Sequence, residues 1–301
     1  MSSPGSYLEK FLEARALVVS AATVKGDGWY MRRFFEFLEA QDVRELGAVN
    51  ETHLARYHEG LKTAENRFGK PVSEGYIYRA VMLPKLWMSW AKEAGLVLSD
   101  LSSYRLERPT RKRVTVPGVE QVARLLEAPD IATPEGLRDR LILEFFYTLG
   151  LRRRECQRLD ITDLDLGAGT VLVAGKGHRE RLLPLSPRLV ELLTRYLWNG
   201  RLKLRPHPDE GALWVSAQTG RRLGYSYLHQ LVVQRCEELG LKIHPHLLRH
   251  ACATHLLEAG AELEAIQALL GHKLASTTNL YAQVKPLELK TEFDRCHPRA
   301  K

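Results

Sequence analysis

The chain has 301 residues, of which 45% are hydrophobic and 27% are charged, and its formal net charge is +8 at pH 7. This length suits two domains of roughly 150 residues each, and the apolar fraction is sufficient for a buried core. No run of about eighteen apolar residues and no N-terminal secretory signal occur, which argues against a membrane or exported protein. The four cysteines form no CxxC pair, which argues against a zinc site or a disulfide framework and fits a reducing cytoplasm.

The N-terminal third of the chain, residues 1–104, has the pattern of a helical domain. Apolar and aromatic side chains at helical spacing predict helices over 23–40 and 51–61. A further helix is expected after Ser73 as its N-cap, with a kink or a break at Pro84. These residues contain no catalytic constellation, so their expected role is binding.

A basic, proline-containing segment, residues 105–117, marks the expected boundary between the first domain, 1–104, and a second domain, 118–301. It contains five basic residues and one acidic residue, whereas residues 1–104 contain thirteen of each. A solvated linker is one interpretation, and a connector lying along a phosphate backbone is the other. The candidate DNA contacts in this segment are Arg111, Lys112 and Arg113.

The second domain mixes helical and strand patterns. Two strands, 170–174 and 179–185, flank the turn GKGH and predict a β-hairpin. The predicted fold is therefore mainly α with a small β-hairpin or sheet, a helical domain being followed by an α+β domain. The helices expected in the second domain lie near 118–127, 136–149, 187–198, 225–239, 246–258, 262–270 and 286–296.

Two arginines of the second domain could stabilise the transition state of phosphodiester cleavage. Cleavage places negative charge on the non-bridging oxygens, which the planar forks of preorganised arginines can neutralise. Arg152 follows a tight turn at Gly150-Leu151, where the next helix begins, and Arg249 lies one helical turn after His246 on the same face. Taken singly, such residues are more often structural, so the prediction depends on the whole set.

A lysine and a tyrosine complete a set that can break DNA without a metal. Lys176 lies in the glycine-flanked hairpin turn, from which it could reach a groove and protonate a leaving 5′-oxygen. Tyr281 could attack the phosphorus, although a phenol with an ordinary pKa of about 10 needs a base and cationic surroundings. His246 and the two arginines could supply both. Since no Walker motif and no acidic cluster occur, we expect no cofactor and no metal.

Four ordered motifs resemble those of the tyrosine recombinases, also called the phage integrase family, and are most similar to the bacterial Xer-type members. The motifs are TLGLRRREC, GKGHRERLLPL, HPHLLRHACATHLLEAG and LLGHKLASTTNLYAQV. The resemblance covers almost the whole chain. It departs from the Xer-type pattern at Arg153 and Arg154, where apolar or small residues are usual, and at Lys273-Leu274-Ala275, which replaces a turn with Ser or Asp.

The resemblance implies catalytic roles for six residues. The two arginines and the second histidine would hold the scissile phosphate, the lysine would protonate the 5′-hydroxyl, and the first histidine would handle the tyrosine proton. The tyrosine would form a 3′-phosphotyrosyl bond, and Glu155 would act through its neighbours. The six residues are Arg152, Lys176, His246, Arg249, His272 and Tyr281.

The resemblance also implies a two-domain DNA clamp, in which a helical core-binding domain and a catalytic domain close on a double-stranded recombination site. Four identical chains would join two sites and exchange strands through a Holliday junction, in the cytoplasm and associated with the nucleoid. Arg221 and Arg222 are candidate DNA contacts, with solvated charge as the alternative. The target sequence, an accessory protein or second recombinase, and the choice between dimer resolution and mobile-element integration stay open.

Two other functions fit the same fold. One is a DNA-binding architectural protein that lacks the chemistry, and the other is relaxation of DNA by a type IB topoisomerase. All six catalytic residue types are present, which favours an enzyme over an architectural protein. The helical N-terminal half and the short C-terminal tail favour a recombinase over a topoisomerase.

Overall fold

The computed structural model describes residues 3–66, 68–110, 115–175, 180–271 and 286–300, the first two residues of the last range by their backbone only. The chain divides into two compact units, Met1–Arg113 and Val114–Lys301, and the division falls within the segment predicted as a basic linker. The three candidate DNA contacts of that segment lie outside the described residues. In the described part of the chain, no helix combines the length and the apolar character that a bilayer crossing requires.

The described residues of the first unit form helices joined by turns and loops, with one isolated β-bridge between Glu65 and Pro71. Its three longer helices begin with side-chain caps, since Ser20, Asn50 and Ser73 each accept a backbone N–H from the first turn that follows. The apolar faces meet in a core in which Phe34 and Trp87 are fully buried. The described α-helices of this unit are α1 (Leu8–Ala16), α2 (Ala21–Ala40), α3 (Glu51–Lys62) and α4 (Glu74–Glu93).

Of the two outcomes predicted for Pro84, the break is wrong, because α4 continues through this residue to Glu93, and the kink stays a prediction. A proline inside a helix removes one backbone hydrogen bond and crowds the preceding turn. Here Pro84 is itself buried, and the helix contributes fully buried side chains on both sides of it, including Ala80, Leu83 and Trp87. Burial along both halves of α4 therefore outweighs the local penalty.

A buried carboxylate connects three helices of this unit. Asp27 of α2 has no exposed surface, and it accepts hydrogen bonds from Nε and Nη2 of Arg15, at the end of α1, at 3.1 and 3.0 Å. It also accepts one from Nη2 of Arg79, on α4, at 2.6 Å. A buried charge is tolerated only with such partners, so Asp27 fixes the relative positions of the three helices.

The second unit packs helices around a small antiparallel sheet with the strand order β1-β2-β3. Strands β2 and β3 pair with Val171 opposite Leu183 and Val173 opposite Arg181, so the predicted hairpin strands are confirmed. The short β1 was not predicted. The described elements are α5 (Val119–Glu127), α6 (Pro134–Tyr147), α7 (Arg153–Arg158), β1 (Leu164–Asp165), β2 (Thr170–Ala174), β3 (Glu180–Pro184), α8 (Pro187–Arg195), α9 (Arg201–Lys203), α10 (Tyr225–Glu238), α11 (Pro245–Glu258), α12 (Leu263–Leu270) and α13 (Pro286–Cys296).

Helix α6 forms the centre of this unit. It is buried from Gly136 to Tyr147, including charged residues. Glu144 accepts from Nε of Arg140 at 3.1 Å and from Nη2 of Arg299 at 2.6 Å, so this buried charge is paired. The mostly helical architecture with one small sheet confirms the predicted fold class.

Candidate active site

The site begins at the tight turn between α6 and α7. Gly150 has φ +57, and a Cβ at this position would lie 2.4 Å from Cδ2 of Leu270, so only glycine fits. Arg152 is the N-cap residue of α7, as expected, and its backbone N–H donates to Oε2 of Glu155 at 2.8 Å. The turn and the cap fix where the Arg152 side chain leaves the backbone.

Glu155 is the buried centre of an arginine cluster. Its side chain is 6% exposed and accepts from Nη1 of Arg152 at 2.7 Å and from Nη1 and Nη2 of Arg181 at 3.2 and 2.8 Å. Burial raises the pKa of Glu155, but the hydrogen bonds and charge of Arg181, followed by those of Arg152, lower it by more, so the net pKa lies below its ordinary value. Glu155 is therefore a carboxylate that orients both arginines.

Arg181 was missed by the sequence reasoning. It lies on β3, on the same face as the buried Leu183, and its Nε donates to the carbonyl of Leu269 at 3.0 Å. Gly271 has φ +65, and a Cβ there would approach the Arg181 guanidinium to 3.2–3.3 Å. The signal was present, because strand alternation puts Arg181 on the inner face, where an arginine needs a partner.

Arg249 approaches the same place from α11. It is 4% exposed, and it donates to the carbonyl of Gly150 through Nη1 and to that of Leu270 through Nη2, the latter at 2.6 Å. Arg152 also donates to Leu270 and Gly271, at 3.4 and 3.3 Å. Burial and the nearby charge of Arg152 lower the pKa of Arg249 to about 10, which leaves it charged at neutral pH. The two predicted arginines thus converge on the carboxyl end of α12, where unpaired carbonyls attract cations.

His246 is exposed in the first turn of α11, one turn before the buried Arg249. The preceding histidine, His244, caps the helix, because its Nδ1 accepts the backbone N–H of Leu247 at 3.2 Å. Burial and the charges of His246 and His229 lower the pKa of His244. His229, His244 and His246 are all exposed, so solvent access alone does not single out His246.

Three of the six predicted catalytic residues, Lys176, His272 and Tyr281, lie outside the described residues. Their chain neighbours are described. In sequence, Lys176 lies between Ala174 and Glu180, which are the last paired residues of β2 and β3 on that side. In sequence, His272 directly follows Gly271, the acceptor of an Arg152 hydrogen bond.

The two arginines predicted as DNA contacts before α10 differ in their surroundings. Arg221 is exposed. Arg222 donates to Oδ1 of Asp160 and, through Nη1, to the carbonyls of Gln157 and Leu159 at 3.1 and 3.0 Å. A DNA contact of Arg222 would have to share a guanidinium that already serves three internal acceptors.

Comparisons with known proteins identify the family of this chain. The phage integrase family model matches residues 118–288, more than half of the chain. The tyrosine recombinase XerC of Oceanobacillus iheyensis is 38% identical over 303 residues, covering 98% of this chain and 96% of that protein. Tyrosine recombinase XerC 2 of Ralstonia nicotianae is 34% identical over 298 residues, covering 97% and 85%.

A solved structure shares the fold. The lambda integrase tetramer bound to a Holliday junction superposes with a TM-score of 0.67 at 16% identity, covering 95% of this chain and 81% of that one. At this identity the likeness concerns the fold alone. Taken with the family model and the similarity to XerC proteins along nearly the whole chain, it shows that the chain belongs to the phage integrase family and is a tyrosine recombinase.

Proposed function

We propose that this chain is an active site-specific DNA recombinase in which Tyr281 attacks the scissile phosphate. The observation that carries the proposal is the convergence of Arg152 and Arg249, from two different elements, on one carbonyl at the end of α12. When DNA binds, a phosphate oxygen can accept the hydrogen bonds that the carbonyl of Leu270 accepts in the free protein. Two guanidinium groups then neutralise the charge that develops on the phosphate during cleavage.

The arginines suit this role because their positions are preorganised. Glu155 is held charged by Arg181 and anchors Arg152, while Arg249 is held by backbone carbonyls. The side chain of Arg152 is 42% exposed and therefore open to DNA. Catalytic groups that are oriented before the substrate arrives need little reorganisation in the transition state.

The remaining roles follow from the chemistry. The phenolic oxygen of Tyr281 forms a bond to phosphorus as the bond to the 5′-oxygen breaks, which leaves the 3′ end attached to the protein. We assign the tyrosine proton to His246, the proton for the leaving 5′-oxygen to Lys176, and a hydrogen bond to the phosphate to His272. The ion pair between Arg181 and Glu155 supports the assignment of Lys176, because it anchors the base of the hairpin beside Arg152.

The proposed partner is a double-stranded recombination site. Residues 1–104 would act as the core-binding domain, 105–117 as a basic linker and 118–301 as the catalytic domain. We propose that four copies join two sites and exchange strands through a Holliday junction; the structure of a lambda integrase tetramer bound to a Holliday junction supports this proposal. The site of action would be the nucleoid in the cytoplasm. A second recombinase or an accessory protein would be identified among the proteins that are recovered together with the DNA-bound chain.

A covalent-capture experiment tests this function. The binding site is first selected from random-sequence DNA, and a duplex carrying that site with a nick beside the cleavage position then traps the cleaved strand on the protein. A protein–DNA adduct that survives denaturation is expected in EDTA, because cationic side chains supply the stabilising charge. Tyr281→Phe should lose the adduct and keep DNA binding, since only the phenolic oxygen is removed. An adduct at normal yield from Tyr281→Phe would contradict the assignment of the nucleophile.

A further inference from the structure

An arginine beside the proposed phosphate site is stacked on an aromatic ring. The guanidinium carbon of Arg153, the first residue of α7, lies 3.7 Å from the ring centroid of Tyr225, and that of Arg154 lies 5.8 Å from it. Tyr225 is 43% exposed. Within the described ranges, neither arginine forms an ion pair with a carboxylate. These two arginines are also where the sequence is more basic than the Xer-type pattern.

The ring is held in place by contacts between the segment before α10 and the end of α7. Nε2 of Gln157 donates to the carbonyl of Leu223 at 3.1 Å. In the opposite direction, Nη1 of Arg222 donates to the carbonyls of Gln157 and Leu159 at the end of α7. Because Tyr225 begins α10 directly after this segment, the internal bonds of Arg222 fix the ring beneath Arg153.

The stack leaves the hydrogen-bonding edge of Arg153 available. A guanidinium that lies flat on a ring uses its face, while its N–H donors point outward in the guanidinium plane. Without a carboxylate partner, these donors need another acceptor. The ring also restricts the conformations of the Arg153 side chain before a ligand binds, which lowers the entropy cost of binding.

We propose that Arg153, oriented by Tyr225, binds a DNA phosphate adjacent to the scissile phosphate and thereby positions the strand for cleavage. The inference rests on the proposed function, in which Arg152 binds the scissile phosphate. Arg152 is the N-cap residue before α7 and Arg153 is its first residue. Their guanidinium groups are held by different partners, Glu155 and the ring of Tyr225, so we assign them to different phosphates. Successive phosphates rise about 3.4 Å along one strand, which puts a second acceptor within reach of the neighbouring residue. Arg153 is thus a positioning residue, and the class of ligand is the phosphodiester backbone of duplex DNA.

Methylphosphonate interference tests this assignment one phosphate at a time. In the selected duplex, each phosphate near the cleavage position is replaced in turn by a neutral methylphosphonate, and binding is measured for the wild-type chain and for Arg153→Ala. At one flanking position, neutralisation should weaken wild-type binding by about tenfold and leave Arg153→Ala unaffected. The slope of log K against log salt should also fall by about 1 in the variant. If every methylphosphonate weakens both proteins equally, the proposal is wrong.

Three further variants separate positioning from a purely structural stack. Tyr225→Phe keeps the ring and should keep the preference for the flanking phosphate, whereas Tyr225→Leu should lose it. Arg153→Lys should keep the salt slope but cleave more slowly at saturating protein. Arg158→Ala, an exposed arginine at the other end of α7, is the matched control and should show wild-type interference at the flanking phosphate. If Tyr225→Leu changes thermal stability but keeps the wild-type interference at the flanking phosphate, the stack has a purely structural role in joining two helices.

Failure of this inference differs from failure of the proposed function. Interference is read from binding and needs no cleavage, so it can succeed or fail whatever Tyr281→Phe does. An adduct that persists in Tyr281→Phe would overturn the nucleophile. Equal interference in wild type and Arg153→Ala would overturn only the role of Arg153.

Discussion

At the scale of single residues, the two arginines of the site differ in how they could meet DNA. The side chain of Arg152 is 42% exposed, whereas Arg249 is 4% exposed. Arg152 can therefore contact an approaching phosphate directly, and Arg249 must exchange a carbonyl acceptor for it. Loss of Arg152 should weaken both initial DNA contact and cleavage, while loss of Arg249 should mainly affect cleavage.

The assignment of Lys176 predicts a chemical rescue. Lys176→Ala should slow cleavage of ordinary DNA by about 10²–10⁴-fold, the range typical of a lost general acid. A 5′-bridging phosphorothioate carries a sulfur leaving group that hardly needs a proton, so single-turnover cleavage of that substrate should recover much of the rate. Arg152→Ala is the control and should not be rescued, because it lacks charge stabilisation. Equal rescue of both variants, or of neither, would make Lys176 a DNA-positioning residue.

The low pKa of Glu155 predicts a pH-dependent contribution to stability. A carboxyl whose pKa is lower in the folded state stabilises the fold above its unfolded pKa, near 4.5, and loses this effect as the pH falls through the folded value. Glu155→Gln should therefore lower the free energy of unfolding near neutral pH, by up to about 3 kcal/mol. The difference from wild type should narrow below about pH 4.5.

Calorimetric unfolding across this pH range measures the difference. Glu237→Gln, at an exposed position of α10, is the control and should change stability little at any pH. A difference between wild type and Glu155→Gln that stayed constant down to about pH 3 would mean that the stabilising contribution of Glu155 does not depend on its charge.

The residue scale also marks the limit of what sequence could predict at this site. The turn at Gly150 and the start of α7 after Arg152 followed from local rules for glycine and helix ends. For Arg181, strand alternation indicates an inward-facing arginine but not its partners, Glu155 and the carbonyl of Leu269, which are 26 and 88 residues away in the chain. Pairings over such separations depend on tertiary packing, which periodicity does not report.

At the scale of elements, long amphipathic helices were predictable and local interruptions were not. The helix from Glu74 was found from its cap and spacing, but its continuation through Pro84 depends on burial by neighbouring helices. The predicted helix near 187–198 likewise ends as α-helix at Arg195 and continues as a π-helical segment, Tyr196–Gly200. Packing against α6 and Trp214, not propensity, accounts for that change, because Tyr196 is fully buried there.

The carboxylate that joins α1, α2 and α4 predicts a large stability effect. Asp27→Asn should destabilise the first unit by about 1.5–3 kcal/mol, because it replaces charge-assisted hydrogen bonds from two partly exposed arginines by a buried neutral amide. Hydrogen exchange of the full-length chain, read peptide by peptide, assigns the loss to residues 1–104. Asp42→Asn is the matched control, since Asp42 and Arg44 are 80% and 85% exposed and such a pair contributes less than about 1 kcal/mol. The backbone φ of Asp42 is +56, a left-handed conformation that asparagine also tolerates. Equal effects of the two variants would show that the buried network does not hold the unit together.

At the scale of the whole molecule, positive charge is concentrated where the chain passes from one unit to the other. The net charge is +8, and residues 105–117 contribute five basic residues against one acidic residue. Binding to a phosphate backbone releases counterions, so the number of neutralised phosphates can be read from the salt dependence of affinity. The basic segment and the net charge are apparent from sequence alone, whereas the partners of an arginine depend on the fold, as the internal hydrogen bonds of Arg222 illustrate.

Replacing the basic run of the linker should therefore reduce the salt dependence of DNA binding. The triple variant Arg111→Ala, Lys112→Ala, Arg113→Ala should lower the slope of log K against log salt by up to about 3, since each phosphate that is no longer neutralised removes about 0.9. Affinity should fall by the same factor on the selected site and on random-sequence duplex, because phosphates carry no sequence information. The matched control removes three cations that are already paired with carboxylates, Arg44, Lys62 and Lys92. The control lowers the net charge equally, so a slope change as large as that of the linker variant would mean that overall charge, and not a connector lying along the DNA backbone, governs binding.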